Sequence, residues 1–294
     1  MKSVTKIMMF DDEGNKFFGE GPATLLKIIE EKGSLRMAAQ EMGMAYTKAL
    51  KIIKSAESSL GFKLTDRIIG GKDGGGSVLT DEGRKWLDSY EKYSRECIEN
   101  NRKTFVRHFG NLSCIILASG LGQRFGGDKL MADLNGKPVI CHIIDKTEEI
   151  FTKRVVVTRN EKVRLLCEER GIECIYHDMP GKNDSIRLGV EAVEGSDGCM
   201  IFQADQPLLM SETIIEMAVR FSENKEYIYR LEDASPVIFP EKYYEMLKRL
   251  PEDMGGNVII AKNMGDVISV KAGSEAELYD IDTTEDMEKI MEYM

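Results

Sequence analysis

CIILASGLGQRFGGDKL, residues 114–130, decides how the larger part of this chain is read. Its first five residues, Cys114 to Ala118, form a short apolar run with β-branched members, the pattern of a buried strand. Glycines follow at 120, 122, 126 and 127, with Arg124 among them and Lys129 just beyond. A glycine-rich turn leaving a strand lets backbone N–H groups approach an anion closely, because no Cβ intervenes. Arg124 and Lys129 would add charge-assisted hydrogen bonds to phosphate oxygens. The spacing is neither the Gly-Lys-Ser/Thr of a P-loop nor the G-x-G-x-x-G of a dinucleotide fingerprint. On local chemistry alone, a surface loop carrying two unrelated cations is the competing reading.

Working outward, strand-like runs at 114–118, 154–158, 172–176, 198–203 and 227–230 alternate with helical stretches at 138–150, 161–170, 184–194 and 211–224. This alternation predicts an α/β fold for residues 109–294, Rossmann-like, with a mostly parallel sheet and ligands at the carboxyl ends of its strands. In CMIFQADQPLL, residues 199–209, an apolar strand ends in a carboxylate, so Asp205 should stand at that carboxyl edge. An Asp there suits Mg²⁺, a hard ion that takes one or two carboxylates plus phosphate oxygens. It equally suits a turn before Pro207. Near the end of the sequence, YDIDTTED (279–286) offers Asp282 as a second carboxylate, and Thr283 or Thr284 as the N-cap of a helix over 285–293.

Residues 1–108 read differently. They carry 19 Lys/Arg against 16 Asp/Glu, whereas the remainder carries 21 against 34. A mildly basic module joined to a strongly acidic one suggests that only the first meets a polyanion. A hairpin is expected around residues 11–15, then a helix opened by Pro22, a short helix over 35–42 capped by Ser34, a turn at Gly43 and a helix over 45–60. Helix, turn and longer helix make a helix-turn-helix pattern, with Tyr46, Thr47, Lys48 and Lys51 as candidates for DNA contact. RIIGGKDGGGSVLT, residues 67–80, reads as two short strands around a tip bearing Lys72, a wing beside a DNA backbone. The helix that follows, 81–108, places Trp86, Leu87, Tyr90 and Tyr93 in a stripe suited to packing or to a homodimer. An ordinary helical bundle is the competing reading. No run of about 18 apolar residues indicates a membrane span. Six scattered cysteines without a C-x-x-C pair are expected to be reduced, in a cytoplasmic protein.

LASGLGQRFGGDKL resembles the signature loop of the MobA/MocA-type nucleotidyltransferases that act on molybdenum cofactor, L-A-[AG]-G-x-[SG]-x-R-[MF]-G…K. Leu117, Ala118, Gly120, Gly122, Arg124, Phe125, Gly126 and Lys129 stand in the matching places. Asp205 to Leu209 resembles the family's D-Q-P-L-L, and 280–286 its D-I-D-T-P-E-D. Residues 181–189 resemble G-x-S-x-S-[IL]-x-x-G, with Ser185 and Gly189 fitting and Asp184 departing. Residues 235–240 and 253–257 resemble G-x-P-x-x-F/P and G-D-K-G-G-R, with Asn257 where Arg is frequent.

The resemblance implies transfer of a nucleoside monophosphate from an NTP to the terminal phosphate of the molybdopterin cofactor. It implies nucleotide binding by Leu117, Ala118, Ser119, Gly120, Gly122, Arg124 and Lys129, catalysis by Arg124, Lys129 and Asp205, Mg²⁺ on Asp205 and Asp282, and acceptor contacts from Ser185, Gly189 and Asn257. Ser119, where guanylyl-transferring relatives tend to have Gly, and the IRLGVEA and ADQPLL stretches look closer to the cytidylyl branch, which implies CTP rather than GTP. The three histidines, 108, 142 and 177, are given no catalytic role.

Residues 1–108 resemble the N-terminal domain of ModE-type molybdate-responsive regulators, a winged helix-turn-helix with the layout of LysR-type regulators, most closely in GGKDGGGSVLT. That resemblance implies binding to double-stranded DNA. Two alternatives are a transcription factor whose transferase-like domain only senses nucleotide or cofactor, and a sugar-phosphate nucleotidyltransferase.

Overall fold

The computed structural model describes residues 2–68, 76–120, 122, 124–232 and 234–294. Lys72 lies outside the described residues. The chain clusters into two compact units, Val4–Asn100 and Asn101–Met294.

In the first unit, strands β1 (Met8–Phe10) and β2 (Lys16–Gly19) pair antiparallel. The Asp11 carboxylate closes their turn by accepting from the N–H of Asn15 at 2.8 Å. Helix α1 (Glu20–Lys32) begins two residues before Pro22, which its first turn tolerates because no N–H partner is needed there. Gly33 ends it in the left-handed region at φ 67°, and Ser34 caps α2 (Leu35–Glu41). After a turn at Gly43, α3 (Tyr46–Leu60) leads to the antiparallel pair β3 (Thr65–Ile68) and β4 (Gly76–Leu79). The Glu57 carboxylate fastens β3 by accepting from the N–H groups of Leu64 and Thr65. Helix α4 (Asp81–Phe109) follows. Leu87 and Tyr90 enter this unit's core beside Phe18, Leu26 and Ile53, with Trp86 packed against it. Tyr93, expected in the same stripe, is 49% exposed.

The second unit is built on a seven-stranded sheet. Its strands are β5 (Leu112–Ala118), β8 (Arg154–Thr158), β9 (Glu173–Tyr176), β10 (Gly198–Gln203), β11 (Ile228–Leu231), β12 (Ala234–Pro240) and β13 (Val267–Val270), in the order β13-β11-β12-β10-β5-β8-β9. A separate small ladder joins β6 (Asp133–Leu134) to β7 (Lys137–Pro138). The sheet is mostly parallel: β12 alone among these strands runs against its neighbours. The central strands are buried on both faces, which is why they read as unbroken apolar runs. Along β5, Cys114, Ile116 and Ala118 enter one core and Ile115 and Leu117 the other.

Helices α5 (Val139–Glu148), α6 (Glu161–Glu169) and α8 (Ser211–Glu223) contribute to the first of these cores. Helix α7 (Lys182–Ala192) contributes to the second, with α9 (Tyr244–Lys248) and α10 (Asn257–Lys262). Helix α11 (Thr284–Met291) closes the chain. The connection leaving β5 runs to β8 on one side and that leaving its neighbour β10 runs to β11 on the other, which opens a crevice at the carboxyl ends of this pair. Cys114 and Cys199 are fully buried in the two cores, where burial pushes their thiols up. No helix among the described residues is long and apolar enough to cross a membrane.

Gly189 fixes the distance between α7 and the sheet. A Cβ there would lie 2.6 Å from Cγ2 of Ile115 and 3.4 Å from Cγ2 of Val157. Gly189→Val should therefore destabilise the unit by about 1–3 kcal/mol, read as a lowered denaturant midpoint. An unchanged midpoint would show that α7 can lift from the sheet at little cost.

Candidate active site

The loop leaving β5 requires glycine at two places. Gly122 sits at φ 57°, and a Cβ on it would lie 3.2 Å from the carbonyl oxygen of Gly127; Gly126 sits at φ 73°. Neither conformation suits a residue with a Cβ. Ser119 anchors the start of the loop. Its carbonyl accepts from Nε of Arg159 at 3.2 Å, and its hydroxyl lies 3.2 Å from the Val157 carbonyl and 2.9 Å from Nε2 of His177.

At the far end of the loop the Lys129 side chain turns inward, leaving the residue 8% exposed. Its ammonium donates to Oδ2 of Asp205 at 2.7 Å and to Oδ1 of Asp282 at 3.3 Å. Burial alone would lower this ammonium, but Asp205 and then Asp282 outweigh it and hold it above the ordinary lysine value. Arg124, largely exposed, reaches Oδ2 of Asp282 at 3.4 Å.

Asp205 follows the end of β10, as expected. Its carbonyl accepts the N–H of Ile281 at 3.0 Å, which lays the 280–282 segment alongside it. The next turn is locked by a reciprocal cap: Asp286 accepts from the N–H of Thr283 at 2.9 Å, and the Thr283 hydroxyl accepts from the N–H of Asp286 at 3.2 Å. Those Thr283 hydrogen bonds hold the Asp286 carboxyl below its usual value. Thr283 is thus the N-cap of α11, and Asp282 just before it is left facing Lys129. Behind the D-Q-P turn, the Lys146 ammonium donates to the Pro207 carbonyl at 2.6 Å; burial, then Lys137, pushes that ammonium down.

A cavity of about 470 Å³ opens over the sheet's carboxyl edge, lined among others by Ser119, Gly122, Arg159, Lys182, Asp253 and Asp282. Of the expected residues, Leu117, Ser119, Gly120, Gly122, Arg124, Lys129, Ser185 and Asp282 line it. Ala118 lines an adjoining hollow of about 410 Å³, together with Asn160 and Tyr176. Asp205 lies one contact deeper, through Lys129. Two expected acceptor residues are placed elsewhere. Gly189 is buried in the contact of α7 with β5 and β8, and Asn257 is exposed at the start of α10. Tyr46, Thr47, Lys48 and Lys51 are exposed on α3, with the Arg36 guanidinium 6.0 Å from the Tyr46 ring centre.

Sequence reasoning missed Arg159, Lys182 and Asp253. Arg159 directly follows β8, so the strand-end rule that located Asp205 would also have found it. The guanidinium donates to the carbonyls of Ser119 and Met179, which tethers a cation over the cavity.

A parallel sheet with a glycine loop, buried lysine and two acids at its switch point defines a protein that handles nucleoside phosphates. The profile of the MobA-like NTP transferase domain matches residues 114–267, and the chain belongs to this family. A "Probable molybdenum cofactor guanylyltransferase" of Pyrococcus horikoshii is 36% identical over 92 residues, 29% of this chain and 48% of that protein. A protein of the same description from Thermococcus sibiricus is 26% identical over 198 residues, 60% of this chain and 95% of its own length. The chain thus spans about half of the first relative and nearly all of the second. The crystal structure of Rv0371c from Mycobacterium tuberculosis shares the fold, with TM-score 0.55 at 19% identity, over 62% of this chain and 98% of that one; the same protein has been solved with manganese.

Lys129→Ala removes the cation between the two acids and, if the loop binds nucleotide as expected from the sequence, one phosphate partner. Losing a charged hydrogen bond of about 1.5–3 kcal/mol should weaken NTP binding roughly ten- to a hundredfold. Titration calorimetry with a nonhydrolysable NTP would check it, and unchanged affinity would count against the loop assignment.

Proposed function

We propose that this chain transfers a nucleoside monophosphate from an NTP to the terminal phosphate of the molybdopterin cofactor, releasing pyrophosphate. The observation that carries the reading is the Lys129 ammonium set between Asp205 and Asp282 at the foot of the glycine loop. A phosphate oxygen of the acceptor attacks the α-phosphorus, and the bond from that phosphorus to the bridging oxygen of pyrophosphate breaks. The attacking phosphate is largely dianionic at neutral pH, its second pKa being near 6, so no strong general base is needed. The protein's work is alignment and charge neutralisation. Loop N–H groups, Arg124 and Lys129 face the triphosphate, while Arg159 and Lys182 stand over the cavity's acceptor side.

The donor set fits a hard divalent ion. Two carboxylates from separate segments converge on one ammonium and supply oxygen ligands, leaving the other ligand positions for phosphate and water. Asp205 and Asp282 would hold Mg²⁺, which supplies charge neutralisation at the phosphates when bound. For the base, the descriptions of the Pyrococcus and Thermococcus proteins support GTP over the CTP expected from Ser119. Retention of both acids supports an enzyme over a pure sensor.

For residues 4–100 we propose binding to duplex DNA as a winged helix-turn-helix. Helices α2 and α3 meet through the Gly43 turn, the N-terminal side chains of α3 are exposed, and the β3–β4 hairpin supplies the wing. Exposed Tyr93 and Ile98 on α4 support a homodimer through that helix.

Pyrophosphate release with Mg²⁺ and molybdopterin cofactor, comparing GTP with CTP, tests the reaction. Asp205→Ala should lose most turnover while keeping its fold by circular dichroism; near-normal turnover would remove Asp205 from the mechanism. In the DNA-binding unit, Lys48→Ala with Lys51→Ala should lower the slope of log affinity against log salt by about two for two lost phosphate contacts. A slope equal to that of wild type in a fluorescence-anisotropy titration would remove both lysines from the interface.

A further inference from the structure

His177 was given no catalytic role, yet its side chain touches both walls of the crevice. Its N–H donates to the Thr158 carbonyl at 3.1 Å, which fixes the residue just past β9, and it is 7% exposed. Nε2 lies 2.9 Å from the hydroxyl of Ser119, at the head of the glycine loop, and 3.2 Å from the hydroxyl of Ser185, on α7. Both serines line the cavity, whereas His177 stands behind them.

Either tautomer makes this link. As Nε2–H the ring donates to the serine oxygens; with the proton on Nδ1, Nε2 accepts from the Ser119 or Ser185 hydroxyl. The Ser119 hydroxyl also lies 3.2 Å from the Val157 carbonyl. In both cases one imidazole nitrogen bridges the two serines.

We propose that His177, through Nε2, is a positioning residue that ties the nucleotide loop at Ser119 to the acceptor wall at Ser185. The tie is specific to a loop with a hydroxyl in its third position: glycine there would offer the imidazole nothing. Its consequence is alignment, because the two substrates meet in the same crevice and a shift of about 1 Å between loop and helix costs up to about a hundredfold in rate. The neutral ring is favoured, since burial first and the Arg159 guanidinium second hold its pKa below the usual histidine value, against the opposing pull of Asp184, Asp178 and a hydrogen bond to the Met179 backbone.

This inference rests on the transferase reading only for its kinetic consequence, so the test has two arms. In full-length protein, the side-chain nitrogens of three histidines are resolved by long-range ¹H–¹⁵N NMR at neutral pH, and the signal lost in His177→Gln identifies His177. An Nε2 resonance that moves in both Ser119→Ala and Ser185→Ala supports the tie; one that either change leaves in place overturns it. In the kinetic arm, His177→Phe should lower kcat about ten- to a hundredfold while His177→Gln, whose amide nitrogen falls near Nε2, recovers most of it and His177→Asn does not. Wild-type kinetics in a folded His177→Phe protein would overturn the positioning role. An inert wild-type protein would instead refute the transferase reading, and the NMR arm alone would then decide the tie.

Discussion

The site depends on one ammonium shared by two carboxylates. Asp205 ends a central strand, Asp282 precedes the last helix, and nothing in the covalent chain keeps them together. Left alone at this separation they would repel, and one would tend to take up a proton. Asp280, beside them, shows the pressure: the protein packed around its carboxyl and then the charge of Asp205 push it up. Lys129 removes that conflict by donating to both acids, and the two together more than offset the cost of sinking its charge below the surface. The bond from Ile281 N–H to the Asp205 carbonyl repeats the link in the backbone. On the proposed reading, phosphate oxygens entering the crevice would give the ammonium a second set of partners of the same sign.

The chemistry of the site was more legible in the sequence than its walls. The loop, Asp205 and Asp282 could be read because each lies in a short motif whose residue types have a reason to be adjacent. The central strands could be read because burial on both faces leaves no polar interruption. Strand β12 was not read as a strand, since ASPVIFP carries a proline at each side of its apolar centre, and β13 has only four residues with one side chain fully buried. Arg159, Lys182, Asp253 and His177 come from three different connections, and only the fold shows that they gather at one crevice. Gly189 shows the opposite error. Its place in a motif suggested contact with a ligand, but the missing side chain serves helix packing.

The two cores also explain why the crevice is rigid at its base and adjustable at its rim. Leu117 and Ala118, immediately before the loop, are buried on opposite faces of the sheet, so the loop departs from a fixed point. Beyond that point the loop is held by the side chains of Arg159 and Asn160, just past β8, and of His177, just past β9. Hydroxyls, a guanidinium and an imidazole exchange partners more readily than packed methyl groups do. The rim can therefore respond to what fills the crevice without disturbing the sheet.

The late position of Asp282 bears on how the protein is made. During synthesis the β5 loop, Lys129 and Asp205 leave the ribosome well before the second acid does. The sheet's central strands can pair at that stage, but the carboxylate pair cannot form until the chain has been extended past Thr283 and α11 has turned. A nascent chain stalled earlier would present the glycine loop with one acid and an under-used lysine. Competence would thus arrive abruptly, with the emergence of a few residues, long after most of the fold had gathered.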